Sequence, residues 1–206
     1  ITSTLSTSTN ISTIPITITF TSEVTGFSFN DITVVNGSIS GFTGSGSTYS
    51  FILTPTAEGA VTIDIAEQVC VGSGLSNLAA SQYLITYDTT SPTASITSSF
   101  TSPTTTSPIP ITVVFSESIT SFVAEDLVLS NGSIDSFTAS GTTYTIDVTP
   151  AYTDTLNISI PAGTASDPAG NQITAAQFSI FYSTFPAVHS ISPSEDSFSI
   201  KDTLIQ

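Results

Sequence analysis

Asp31 to Phe42 read DITVVNGSISGF, and Asp126 to Phe137 read DLVLSNGSIDSF, 95 positions further along the chain. In each copy Asn-Gly lies between two runs of strand-forming residues. That predicts a tight hairpin turn, because a type I′ turn needs positive φ at both central residues and Asn and Gly tolerate it. The Ser that follows also makes each Asn an acceptor for N-linked sugar.

Working outward, the same 95-residue shift superimposes Ser12–Phe20 (STIPITITF) on Ser107–Phe115 (SPIPITVVF). It also superimposes Phe42–Pro55 (FTGSGSTYSFILTP) on Phe137–Pro150 (FTASGTTYTIDVTP). From Ser12 to Tyr87 roughly a third of positions are identical, the mark of an internal repeat. Ile1, Ile96 and Ile191 share one phase, as do Ile14, Ile109 and Leu204. The expected organisation is a first unit over residues 1–90 with a truncated start, a second over 91–185, and the start of a third over 186–206.

Within each unit the apolar residues alternate, as in half-buried strands. Ile14, Ile16, Ile18 and Phe20 share one phase, matched by Ile109, Ile111, Val113 and Phe115. Tyr49, Phe51 and Leu53 match Tyr144, Ile146 and Val148; Val61, Ile63 and Ile65 match Leu156, Ile158 and Ile160; Tyr83, Ile85 and Tyr87 match Phe178, Ile180 and Tyr182. The fold class is all-β, with tandem immunoglobulin-like β-sandwiches of about seven strands each.

Composition agrees. About a third of the residues are Ser or Thr, and only 8% are Asp, Glu, Lys or Arg. Sixteen acids face a single base, Lys201, for a formal charge of −15. That field repels phosphate backbones and anionic lipid, which argues against nucleic-acid partners and membrane insertion, and it attracts divalent cations. No apolar run approaches membrane-spanning length and no signal peptide is visible. The chain has no Met, so it reads as a piece of a longer protein.

The chain resembles the bacterial Ig-like repeats of large extracellular surface adhesins. The resemblance rests on PITITF and PITVVFSE, both Asn-Gly motifs, GSTYSFILTP and GTTYTIDVTP, DPAGN (Asp167–Asn171) and YDTTSPT (Tyr87–Thr93). It covers nearly the whole chain, and similar units occur in extracellular fibrous proteins of protists. Unit 1 departs from it with GSGLSN (Gly72–Asn77) in place of DPAGN, and the second boundary reads YSTFPA (Tyr182–Ala187), without the Asp that the first has in Asp88. The resemblance implies an extracellular or cell-surface location and calcium at junctions between repeats.

Four sequons are glycosylation candidates: Asn10, Asn36, Asn131 and Asn157, the last on the outward phase of its strand. Asp88 at the junction and Asp31, Asp126 and Asp167 in loops are candidate calcium ligands, although no clustered DxDxD motif exists. The alternative for Asp31 and Asp126 is that they cap turns. Otherwise no cofactor is expected. Cys70 aligns with Ala165, a small buried position; the sharper alternative is an intermolecular disulfide. His189 is the single histidine, expected to be exposed, and no nucleophile-elbow motif accompanies it. Glu23, Glu58 and Glu67 lack acidic counterparts in the second unit, which argues against an enzyme.

The expected function is a non-enzymatic structural module, acting as spacer, stalk or filament building block of a repetitive surface adhesin or appendage protein. Its partners are neighbouring repeats of the same protein, with self-assembly into filaments. Ile52, which stands where unit 2 has Asp147, is a candidate filament contact. The alternative is an adhesive module that binds a cell-surface glycan or protein through its end loops. Nearly every Phe and Tyr falls on an inward phase, with Tyr152 as the exception.

Overall fold

The computed structural model describes residues 1–185; His189, Lys201 and the expected start of a third unit lie outside the described residues. Unit 1 holds eleven strands: β1 (Thr2–Ser3), β2 (Ser8–Thr9), β3 (Ile14–Thr19), β4 (Val24–Thr25), β5 (Ile32–Val35), β6 (Gly37–Ser45), β7 (Thr48–Pro55), β8 (Gly59–Ile65), β9 (Val71–Gly72), β10 (Leu75–Ser76) and β11 (Tyr83–Tyr87). Seven more form unit 2: β12 (Ala94–Ser98), β13 (Ile109–Phe115), β14 (Val128–Leu129), β15 (Ser133–Ser140), β16 (Thr143–Thr149), β17 (Asp154–Ile160) and β18 (Ala176–Tyr182).

In unit 1 a sheet of order β1-β3-β7-β6 faces one of order β2-β11-β8-β5, with a small β10-β9-β4 sheet at one end. Unit 2 repeats the plan with β12-β13-β16-β15 over β14-β17-β18. In both units a segment near the start runs parallel to the last strand: β2 along β11 in unit 1, and a single bridge from Thr104 to Tyr182 in unit 2.

Alternation in sequence becomes alternation in burial. Along β3, Ile14, Ile16 and Ile18 are buried while Pro15, Thr17 and Thr19 face solvent. Each fully buried Ile or Leu stabilises the sandwich by about 1.5–3 kcal/mol. Two separate cores result, one centred on Ile14, Leu53, Val61, Ile63 and Ile85, the other on Ile109, Val113, Leu156, Ile160 and Ile180. An aromatic quartet closes each core near the end of the first long strand. Phe20, Phe27, Phe42 and Tyr49 pack edge-on, with Phe42 stacked on Tyr49, and Phe115, Phe122, Phe137 and Tyr144 repeat the edge-on contacts 95 residues on, with Phe137 tilted against Tyr144.

The Asn-Gly motifs are not hairpin turns. β5 pairs with β8 and β6 pairs with β7, so the chain crosses from one sheet to the other at Asn36-Gly37. Only Asn36 has positive φ (59°) there, and in unit 2 only Gly132 does (136°), so neither pair makes a type I′ turn. What the two corners share is the Asn side chain. Asn36 Nδ2 donates to the carbonyls of Ala57 (2.9 Å) and Ala60 (3.2 Å), and its Oδ1 accepts from Thr56 Oγ1. Asn131, buried, donates to Tyr152 O (2.9 Å) and accepts from the amides of Ala151 and Tyr152. Each Asn thus ties its corner to the loop one hairpin further on, between β7 and β8 in unit 1 and between β16 and β17 in unit 2. The two-residue hairpins fall elsewhere, at Gly46-Ser47 between β6 and β7 and at Gly141-Thr142 between β15 and β16, each opened by a Gly near φ +60°.

Ile52 lies half-buried within its sheet, between Pro15 and Ser40 on the neighbouring strands, rather than as an exposed knob.

Candidate functional site

Three of the residues that sequence reading marked for chemistry, Asn10, Asp88 and Asp167, converge where unit 1 meets unit 2. The trailing end of unit 1 supplies Asn10, the β7–β8 loop with Glu58, and the linker from Asp88 onward. The leading end of unit 2 supplies Glu117, just after β13, and the Asp167–Asn171 loop. Asn10 donates its amide to Ala169 O (3.0 Å), and its Nδ2 donates to Asn171 Oδ1 (3.1 Å). Asn171 Nδ2 donates to Asp88 O (2.9 Å) and to Asp167 Oδ2 (2.8 Å). The linker is held as well, since Pro92 O accepts from the Thr174 amide and Thr93 O from the Ser116 amide.

Asp88, Glu117 and Asp167 form the one group of three acids gathered closely among the described residues, each with a carboxylate oxygen within 4.8 Å of the others. Asp167 is 2% exposed, and both its oxygens accept from Asn171. Burial pushes the Glu117 carboxyl above its ordinary value of 4.5, and repulsion from Asp88, Asp167 and Glu58 adds to this. Glu58 shifts the other way. Hydrogen bonds from the Thr89 hydroxyl and amide and from the Thr90 hydroxyl hold its carboxyl low, and they clip the linker to the β7–β8 loop.

Three carboxylates with this spacing make an all-oxygen donor set. Ligands opposite each other on a calcium ion lie about 5 Å apart, given bond lengths of about 2.3–2.6 Å. Asp88, Glu117 and Asp167 are thus the residues that could hold a hard divalent cation.

Of the four acids read as calcium candidates, the structure brings Asp88 and Asp167 together and keeps Asp31 and Asp126 away. Asp31 caps the 3-10 turn Phe29–Asp31 by accepting from the Ser28 amide (2.7 Å) and hydroxyl, and Asp126 accepts from the Val123 amide (2.9 Å). Glu117 was missed, although it ends the PITVVFSE strand at the same pole as DPAGN. The sequons separate too. Asn10, Asn36 and Asn131 use their side-chain amides in structural bonds, as described above, while Asn157 is exposed on β17 and bonded only to Ser130 Oγ. Cys70 is 3% exposed in the unit 1 core, with its thiol pushed up chiefly by burial. A sulfur so placed cannot reach another subunit without opening the sandwich, against the intermolecular disulfide. Tyr152 is not the only outward aromatic, because Phe29, Phe181 and Phe185 are exposed as well.

Two facing, mostly antiparallel sheets, repeated with a polar joint between copies, define tandem immunoglobulin-like sandwiches. The chain belongs to the bacterial Ig-like domain family, whose model matches residues 1–86 and again 88–184. No curated protein matches the chain. Among solved structures it is similar to the Escherichia coli adhesin FdeC (13% identity, TM-score 0.44, covering 85% of this chain and 60% of that one) and to Yersinia pseudotuberculosis InvD (15%, TM-score 0.39, 90% and 58%). The Yersinia pseudotuberculosis adhesin InvE is a third, at 13% identity and TM-score 0.32, covering 85% and 55%. The chain thus spans less than two thirds of the length of each.

Proposed function

We propose that the chain is a non-enzymatic spacer of a repetitive extracellular surface protein, working mechanically by holding successive sandwiches at a fixed orientation. The observation that carries this reading is the joint. Units with independent cores are cross-linked by the Asn10–Asn171 pair, by Asn171 on the Asp88 carbonyl, and by a linker whose carbonyls serve as acceptors for unit 2. Pro92 fixes one φ within that linker and is buried. Among the described residues no helix is long and apolar enough to cross a membrane.

In this reading calcium stiffens the joint, because Asp88 comes from one unit and Glu117 and Asp167 from the other, so a shared ion favours the docked arrangement. The test is a distance distribution between spin labels on the two units, measured with calcium and with chelator. A narrow distribution in both, tighter with calcium, supports the proposal. A broad distribution that calcium leaves unchanged refutes it, and saturable binding to a glycan array transfers the function to the end loops.

A further inference from the structure

Three of the four Asn-X-Ser sequons have their side-chain amides committed to the fold. An amide that carries sugar keeps only one of its two N–H donors, and the sugar must lie in solvent. Asn131 is 4% exposed, and its Nδ2 already serves Tyr152 O. Asn36 uses its Nδ2 twice, on the carbonyls of Ala57 and Ala60. Asn10 spends its Nδ2 on Asn171 across the joint, where a sugar would stand between the units.

Asn157 is placed differently. It sits in the middle of β17, and because Leu156 and Ile158 point into the core it faces outward from the β14-β17-β18 sheet. Its Nδ2 donates to the exposed Ser130 Oγ (3.1 Å), and among the described residues the second N–H has no protein acceptor. Ser159, which completes the acceptor pattern, is half-buried, and its hydroxyl makes only a long 3.5 Å contact with Val128 O.

The row of side chains that crosses the sheet at this point has changed along with the sequon. In unit 1 the row reads Val35, Thr62 and Leu84, from β5, β8 and β11, with the two flanking side chains exposed. The same positions 95 residues on are Ser130, Asn157 and Ser179, and Ser179 stands directly opposite Asn157 on β18. Both branched neighbours have given way to serine, which clears space on either side of the amide. One row along, exposed Phe181 stands where unit 1 has Thr86, diagonal to Asn157. Diagonal neighbours in an antiparallel pair are about 7–8 Å apart, within reach of a first sugar ring, whose apolar face can pack on the aromatic one.

We infer that Asn157 is an N-glycosylation site, and the one sequon of the four that carries sugar. Asn157 Nδ2 bonds to C1 of the reducing-end sugar of a lipid-pyrophosphate-linked oligosaccharide. The C1–O bond to the pyrophosphate breaks, the lipid pyrophosphate leaves with that electron pair, and the amide gives up one proton. The glycan then projects from the flank of unit 2, clear of the joint. From the spacer reading this takes only that the chain is extracellular.

Peptide mapping by mass spectrometry tests this on the chain recovered from the surface or medium of the cells that make it. An acid-directed protease separates the sequons, since Asp or Glu lies between each successive pair. The expected result is sugar mass on the peptide holding Asn157, released by an amidase that leaves Asp behind, and bare peptides for Asn10, Asn36 and Asn131. Asn157→Gln and Ser159→Ala should each abolish the modification, while Ser159→Thr should keep it. Both abolishing variants should melt with the enzymatically deglycosylated chain, because neither side chain belongs to the core. A bare Asn157 overturns the inference, as does sugar on any of the other three or a modification that survives Ser159→Ala. A bare chain at the cell surface leaves the spacer reading standing, whereas a chain found only inside the cell overturns both.

Discussion

Replacing Asn171 with alanine should loosen the joint while leaving both sandwiches folded. The side chain makes two bonds across units, to Asp88 O at 2.9 Å and from Asn10 Nδ2 at 3.1 Å, and one within unit 2, to Asp167 Oδ2. A net hydrogen bond contributes about 1 kcal/mol, so docking should lose about 2 kcal/mol, roughly thirtyfold in the ratio of docked to undocked molecules. The third bond belongs to the loop. Removing it from the buried Asp167 carboxylate lowers the melting temperature of unit 2 without bearing on docking. Asn10→Ala removes only one cross-unit bond and should cost about 1 kcal/mol, and the double variant should cost less than the sum because the two side chains share a bond. Spin-label distances between units read the docking, and calorimetry reads each unit. An Asn171→Ala distribution as narrow as that of the native chain would refute the claim that this amide holds the joint.

Other outcomes follow from the same geometry. Glu117 titrates above its ordinary value of 4.5 in the folded chain, so without calcium stability should fall as pH rises from that value through the raised one; Glu117→Gln should flatten this trend in a pH series of melting curves and abolish stabilisation by calcium. Gly132→Ala should cost about 2 kcal/mol by urea denaturation, because φ is +136° and a Cβ would lie 2.6 Å from Thr149 O; Gly141→Ala, with φ +61° and open space, should cost about half as much. Cys70 should resist thiol reagents until unit 1 unfolds, and Cys70→Ala, the residue unit 2 carries as Ala165, should cost only about 1 kcal/mol.

Much of the fold could be read from the chain because period-two alternation reports which face of a strand is buried, and every inward triplet named from the sequence contributes to one of the two cores. Asn-Gly misled for a physical reason. It reports a local readiness for positive φ, whereas pairing partners are decided by sheets that the local sequence does not encode. The Gly46-Ser47 and Gly141-Thr142 hairpins carried a weaker but truer signal. The site was half legible. Asp167 stood in a recognisable loop and Asp88 at a boundary, but Glu117 lies 29 residues from one and 50 from the other, and only docking brings the three together. Asp31 and Asp126 looked alike as acids in loops, and backbone amides three residues back had claimed them.

The parallel pairing near the two ends of each unit decides how the chain answers a pull. Tension enters unit 1 through the segment ahead of β2 and leaves through β11, and these strands run side by side in the same direction, joined by the Thr86 amide on Thr7 O and the Asp88 amide on Thr9 O. Stretching drags them past each other lengthwise, so both bonds are strained at once instead of opening in turn like a zip. Thr104 with Phe181 and Ser183 repeats the arrangement in unit 2, and each bead is thereby clasped at the place where load is applied.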